Sequence, residues 1–213
     1  MNIKFEAIAA DQDFKLVQRL FIAQARTHSV VAFCPVEAGS GCSWVITRLA
    51  RILSRSLSKS VCVVDADFRA PSQHRNFVLN SAKGFAQAIV ESIPVRGLCQ
   101  QVSGTSLWVL PSGGAFADPY RFLLADRLNA RIQELRKEFD YVLIDTPAAG
   151  TYADATLIGR WTDGIVMVLG ADRTRHETAI GVRENIDGLG IPVLGAVLNE
   201  RSYPIPDCVY RRL

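Results

Sequence analysis

The sequence has little that is reactive and little that is one-sided. It holds three histidines and five cysteines. The cysteines, at 34, 42, 62, 99 and 208, form no close pairs along the chain and match no zinc spacing, which excludes a structural zinc module. An odd count without a secretory leader argues against a disulfide scaffold and for a reducing compartment. The opening MNIKFEAIAADQDFK lacks the apolar core of a signal peptide. No uncharged run approaches the roughly 18 residues that a membrane span needs. The formal net charge of +3 is small, and no basic stripe interleaved with aromatics accompanies it, so no nucleic-acid partner is implied. These absences predict a soluble, cytoplasmic protein in which any membrane role is supplied by a partner.

What is present is an ordinary globular balance. Of 213 residues, 49% are hydrophobic and 21% charged, enough for a substantial core. No internal repeat and no second domain are visible. The expected organisation is one domain over residues 1–200, with a short tail over 201–213 carrying Tyr203 and Tyr210.

Residues 30–43, VVAFCPVEAGSGCS, organise the rest. Val30 to Cys34 reads as a buried strand. It runs into a tight loop with Gly39, Ser40 and Gly41, and Ser43 to Leu57 then has the apolar spacing of a helix. Strand, glycine loop and helix N-terminus make a phosphate cradle, because unpaired backbone N–H groups converge there and glycines let the backbone approach phosphate oxygens. Ser43 caps the helix or, in a P-loop, contacts magnesium.

Further along, Ser60 to Asp65 and Tyr141 to Ile144 are apolar strands that run out into acids, Asp65 and Asp145. Leu107 to Leu110, Gly164 to Leu169 and Val193 to Leu198 are further strands. Helices are expected over 12–26, at Gly84 to Ile89, from Pro119 to Glu138, and over 173–187. The first reads as a packing helix over one sheet face, or a subunit contact. Residues 66–82 read as a polar connection interrupted by Pro71. Near-continuous apolar strands alternating with helices predict an α/β fold, a mostly parallel central sheet with helices on both faces. Ligands in such folds sit beyond the carboxyl ends of the strands. The glycine loop, Asp65, Asp67 and Asp145 all fall there. Asp145 before Thr146 and Pro147 has the Walker B arrangement, in which a carboxylate holds magnesium directly or through water.

In order, VVAFCPVEAGSGCS, VCVVDADFRAPSQH, LWVLPSGG with DPYRFL, FDYVLIDTPAA, TDGIVMV and IPVLGAVLN resemble the cytoplasmic domain of the bacterial tyrosine kinases (BY-kinases), within the MinD- and ParA-like deviant Walker A group of P-loop NTPases. The most specific piece is DADFRAPSQH, similar to the DADLRRPSLH-type stretch of that family. The resemblance implies ATP or ADP with Mg2+ as cofactors. It places Gly39, Ser40, Gly41, Cys42, Ser43 and Trp44 at the phosphates and Asn199 near the adenine. Asp65, Asp67 and Asp145 are implied as the catalytic acids, with Ser43, Asp65 and Asp145 around the metal. It also implies phosphoryl transfer to tyrosines, here Tyr203 and Tyr210. The implied partner is the cytoplasmic segment of an inner-membrane polysaccharide co-polymerase, in the control of capsule or exopolysaccharide production by a homo-oligomeric ring.

The departures from that pattern shape the expected activity. Cys42 stands where the lysine that reaches the terminal phosphates belongs, and a neutral thiol cannot supply that charge. Losing one such donor costs about 2.7–4 kcal/mol, roughly 100- to 1,000-fold in rate. Trp44 replaces a small residue, as a core side chain or as one that crowds the nucleotide. Glu37 occupies the position of the signature lysine of partitioning ATPases, which separates the chain from them. The tail offers only Tyr203 and Tyr210, and the N-terminal helix lacks an intact Glu-x-x-Arg-x-x-Arg oligomer motif. The leading expectation is therefore a degenerate, nucleotide-binding regulator with weak or absent phosphoryl transfer. The alternatives are an active tyrosine autokinase in which Arg69 or a neighbouring subunit's arginine replaces the missing cation, and a scaffold that binds no nucleotide. A thiolate at Cys42, stabilised by the helix N-terminus, is a further reading.

Overall fold

The structure is a computed structural model that describes residues 11–23, 29–91 and 93–200. Its centre is a seven-stranded sheet. The strands are β1 (Val30–Pro35), β2 (Val61–Asp65), β3 (Gln100–Gln101), β4 (Leu107–Leu110), β5 (Tyr141–Asp145), β6 (Gly164–Gly170) and β7 (Val193–Asn199). They lie in the order β3-β4-β2-β5-β1-β6-β7. Every pairing is parallel except that of the short edge strand β3 with β4.

The period of two within each strand sorts the core into two faces. Val31, Phe33, Val61, Val63, Leu143 and Val166 point to one side. There they meet α1, helical over 11–17 and continuing through a π turn at Gln18–Ile22, and α2 (Cys42–Ser56). Val45, Ile46, Leu49 and Leu53 recur at helical spacing on α2 and are buried, which fastens the helix behind the glycine loop. The described part of the first helix is thus a packing helix over one sheet face. The helix ends at Ile22 with Ala23 as its C-cap, short of the expected 26; residues 24–26 lie outside the described residues, as do Tyr203, Tyr210 and Cys208.

Val30, Cys62, Val64, Val142 and Ile144 point the other way, with Ala32, Cys34, Ile165 and Met167 beside them. The helices on that face include α4 (Phe85–Val90), α6 (Tyr120–Leu123), α7 (Arg127–Glu138), α8 (Asp154–Gly159) and α9 (His176–Gly188). Two short helices, α3 (Gln73–Phe77) and α5 (Val95–Leu98), complete the set. The burial of Cys34 and Cys62 agrees with their reading as small apolar residues.

Two expectations need correction. The helix expected from Pro119 to Glu138 is two helices, α6 and α7, broken between Leu123 and Arg127. At about 100° per residue a continuous helix would set Leu123 roughly 140° away from Leu128. The break lets both be buried, with Phe122 packed on Phe68 at 5.2 Å between ring centroids. The connection over 66–82 is not wholly irregular, because α3 lies within it. Although no two cysteines are close along the chain, the fold brings the Cys62 and Cys99 sulfurs to 4.0 Å from each other.

Candidate active site

The glycine loop leaves β1 and closes onto the N-terminus of α2. Gly39 and Gly41 both have left-handed backbone, with φ of 81° and 72°. Gly41 is doubly constrained, since a Cβ there would come within 2.4 Å of Asn199 Nδ2. The Ser40 hydroxyl donates to the Glu37 carbonyl at 2.7 Å, and the amides of Trp44 and Val45 donate to the Gly41 carbonyl. From the far side, Arg173 donates to the Gly39 carbonyl and Asn199 to the Ser40 carbonyl, each at 3.0 Å. The loop is therefore held in shape by residues at the ends of β6 and β7, and it sets the N-terminus of α2 at the cavity, where first-turn amides suit an anion.

Beyond the carboxyl ends of β1, β2 and β5 lies an open cavity of about 620 Å³. Ser43, Trp44, Asp67, Arg69, Asp145 and Tyr152 are among the residues on its wall. Asp65 and Asp145 are register partners at the ends of β2 and β5, both buried. Burial drives the Asp145 carboxyl up to about 7; the Asp65 charge adds to this, while Ser43 and Gln73 pull it down. Burial raises Asp65 to about 6, against the backbone amides of Gln73 and Ser72. Those two amides donate to Asp65 Oδ2 at 2.9 Å, and that of Asp67 donates to Oδ1 at 3.3 Å. Asp65 thus shapes the turn after β2 and does not line the cavity. Asp67 does line it, while its Oδ1 accepts the amides of Arg69 and Ala70 at 3.0 and 2.9 Å.

Cys42 is buried, and its thiol is pushed well above the usual range by burial and then by the Asp145 charge. Burial and the neighbouring acids thus disfavour the thiolate that the helix N-terminus alone would stabilise. Beside it is a residue the sequence reading missed. Gln73, fully buried in α3, donates through Nε2 to Asp145 Oδ2 at 2.7 Å and to the Ser43 carbonyl at 3.1 Å. Its Oε1 accepts from Thr47 at 3.2 Å. The signal lay in DADFRAPSQH, where glutamine stands at the last leucine of the DADLRRPSLH type.

Arg69, a candidate replacement cation, lines the cavity but is engaged. It forms a two-pronged ion pair with Asp154, a fully buried residue, at 3.1 and 3.2 Å. Its guanidinium also lies 4.0 Å from the centre of the Tyr152 ring and 5.3 Å from that of Tyr120. Nothing in the sequence linked position 69 to position 154, or Arg173 to the glycine loop. Trp44 is no core residue: it is 50% exposed at the cavity rim. On α2 it shares the outer stripe with Arg48, Arg51 and Arg55, turned away from Val45 and Leu49.

A magnesium nucleotide suits part of this donor set. The loop amides, the Ser43 hydroxyl and the Asp145 carboxyl are hard donors of the kind magnesium and phosphates take, with phosphates and water completing the metal's shell. Bound there, magnesium would offset phosphate charge. The poor fit is electrostatic, because the described residues of the wall include no lysine and their one arginine is paired.

The family model described as "Cellulose biosynthesis protein BcsQ" matches residues 28–181. Among curated relatives, the tyrosine-protein kinase YwqD of Bacillus subtilis is 27% identical over 93% of this chain and 81% of its own. The tyrosine-protein kinase CpsD of Streptococcus agalactiae is 26% identical over 92% and 85%. Among solved structures, the VpsO kinase domain superposes with a TM-score of 0.82 at 19% identity, covering 94% of this chain and 98% of that one. The Pyrococcus furiosus cell division ATPase MinD gives 0.68 at 21%, covering 87% and 79%. The resemblance to bacterial tyrosine kinases and the MinD- and ParA-like P-loop fold expected from the sequence are both upheld.

Proposed function

This chain belongs to the family of the cellulose biosynthesis protein BcsQ, and from that premise we propose that it is a nucleotide-responsive regulator of exopolysaccharide production with little phosphoryl transfer of its own. One observation carries the reading: at Cys42, where the phosphate-binding lysine would stand, the chain has a buried neutral thiol beside Asp145. Phosphoryl transfer depends on positive charge placed where charge develops on the transferring group. The loop amides and Ser43 support binding of the phosphates, Asp145 supports the metal, and no free cation among the described residues of the wall supports the transfer. The engagement of Arg69 by Asp154 counts against an autokinase that borrows this arginine.

The partner that fits this role is the cytoplasmic segment of an inner-membrane polysaccharide co-polymerase, which would recruit the protein to the membrane. No helix among the described residues is long and apolar enough to cross a membrane, so recruitment by a partner is the route proposed. A scaffold without nucleotide is favoured by a different observation. Asp65 and Asp145 already have protein donors, from the turn amides and from Gln73.

Calorimetric titration of ADP and of a non-hydrolysable ATP analogue, with and without magnesium, separates the two. Magnesium-dependent binding by the natural protein is the expected result. Absence of binding in both the natural protein and Cys42→Lys would overturn the regulator reading and leave the scaffold.

A further inference from the structure

Two departures from the phosphate-loop pattern, Cys42 and Gln73, are 31 positions apart in the sequence and meet at one carboxyl group. Cys42 packs beside Asp145. Gln73 donates to that carboxyl and to the Ser43 carbonyl, so a single amide ties the end of β5 to the first turn of α2. Its oxygen lies 3.2 Å from the Thr47 hydroxyl, one turn further along α2, whose single hydrogen it shares with the Ser43 carbonyl at 2.8 Å. Gln73 is fully buried, and both ends of its side chain are partnered. A buried acid is costly without a donor. A lysine at position 42 would start from a backbone position next to Asp145 and could be such a donor. With cysteine there, the donor comes from α3.

We propose that Gln73 is a positioning residue that supplies the donor Asp145 would otherwise lack beside the neutral Cys42, so that Cys42 and Gln73 form one coupled pair. The amide ties β5 to the phosphate loop, but it is neutral and turned into the protein interior. The loop keeps its shape while losing its charge. Restoring lysine alone therefore leaves two donors competing for one buried carboxyl, and the leucine of the family-type stretch is the matching change at position 73.

The coupling is readable without any ligand, in melting of the full chain. Losing a buried hydrogen bond to a charged group, Gln73→Leu is expected to lower the melting temperature by roughly 3–10 °C in the natural background. In the Cys42→Lys background the same change is expected to cost less than about 2 °C, or to stabilise. In a Cys42→Ala background, which brings no cation, it is expected to cost the full amount. An equal loss in all three backgrounds, or no loss in the natural one, would overturn the proposal and make Gln73 an ordinary core amide.

If Gln73→Leu fails to fold, Gln73→Met keeps the volume and removes only the hydrogen bonds, and the same comparison applies. If Cys42→Lys alone fails to fold, recovery on adding Gln73→Leu supports the coupling, and no recovery overturns it. The proposal rests on the nucleotide-site reading only for its origin. Magnesium–ADP titration of the same variants tests that reading separately. Intact coupling with no nucleotide bound by any variant would remove the regulator reading and leave the pair standing.

Discussion

Asp65 and Asp145 stand opposite each other at the carboxyl ends of neighbouring parallel strands, and both are buried. Each answers the other's charge differently. Asp65 turns to the backbone amides of Ser72 and Gln73, while Asp145 takes the Gln73 side chain.

This pair gives the fold a pH dependence of definite sign. Their carboxyls sit at about 6 and about 7 in the folded chain against 3.8 for an ordinary aspartate. Between those values the folded state binds more protons than the unfolded one, so the contribution of these groups to stability falls as pH rises from about 4 to about 7. The loss is on the order of a few kcal/mol. Denaturant unfolding at pH 5 and pH 7.5 should show it, and Asp145→Asn should flatten the slope. Stability rising across this window in the natural protein, and unchanged in slope by Asp145→Asn, would contradict the assignment.

Phosphoryl transfer should be limited by charge at position 42. With ATP, magnesium and a tyrosine-containing acceptor, the natural protein should turn over at or near background. Cys42→Lys combined with Gln73→Leu should raise the rate roughly 100- to 1,000-fold. Phosphotyrosine detection and ADP release give two independent readings.

Gly41→Ala should be destabilising for two separable reasons. The backbone is left-handed at φ 72°, and the new Cβ would lie 2.4 Å from the Asn199 amide nitrogen. A cost of about 1–3 kcal/mol is expected. Adding Asn199→Ala should recover the steric part and leave the backbone part. Gly39→Ala should be milder on steric grounds, since its new Cβ meets the movable end of Arg173 at 3.1 Å.

Asp154→Asn should release Arg69. The pair is one-sidedly buried, with Asp154 side chain at 0% exposure and Arg69 at 21%, so removing its charge should cost about 1–3 kcal/mol, less than for a wholly buried pair. The freed guanidinium lines the cavity, so magnesium-free ADP should bind more tightly than in the natural protein. Thermal melting and calorimetry measure the two effects. Unchanged ADP affinity in a folded Asp154→Asn protein would show that Arg69 cannot reach the phosphates.

The sheet was legible because strands buried on both faces read as near-continuous apolar runs, and because Asp65 and Asp145 end two of those runs. The glycine loop was legible because its residues are contiguous. The remainder of the site was not, since it is made by long-range closure: Gln73 reaches Asp145, Arg69 reaches Asp154, and Arg173 reaches Gly39. The misplacement of Trp44 has another cause. A large aromatic residue is a good core candidate by size, and only its angular position relative to Val45 and Leu49 reveals the outer stripe. The break between α6 and α7 was hidden for the opposite reason, because Leu123 and Leu128 both look like core residues and a single helix cannot face them the same way.

The brace behind the glycine loop ends at the last described residues of the chain. Asn199 grips Ser40, and Glu200 lies 3.6 Å from Arg173, which grips Gly39. The exit of the polypeptide from its last strand is thereby geared to the phosphate cradle. A load applied at Glu200 would therefore bear on Ser40 and Gly39 as well as on the sheet.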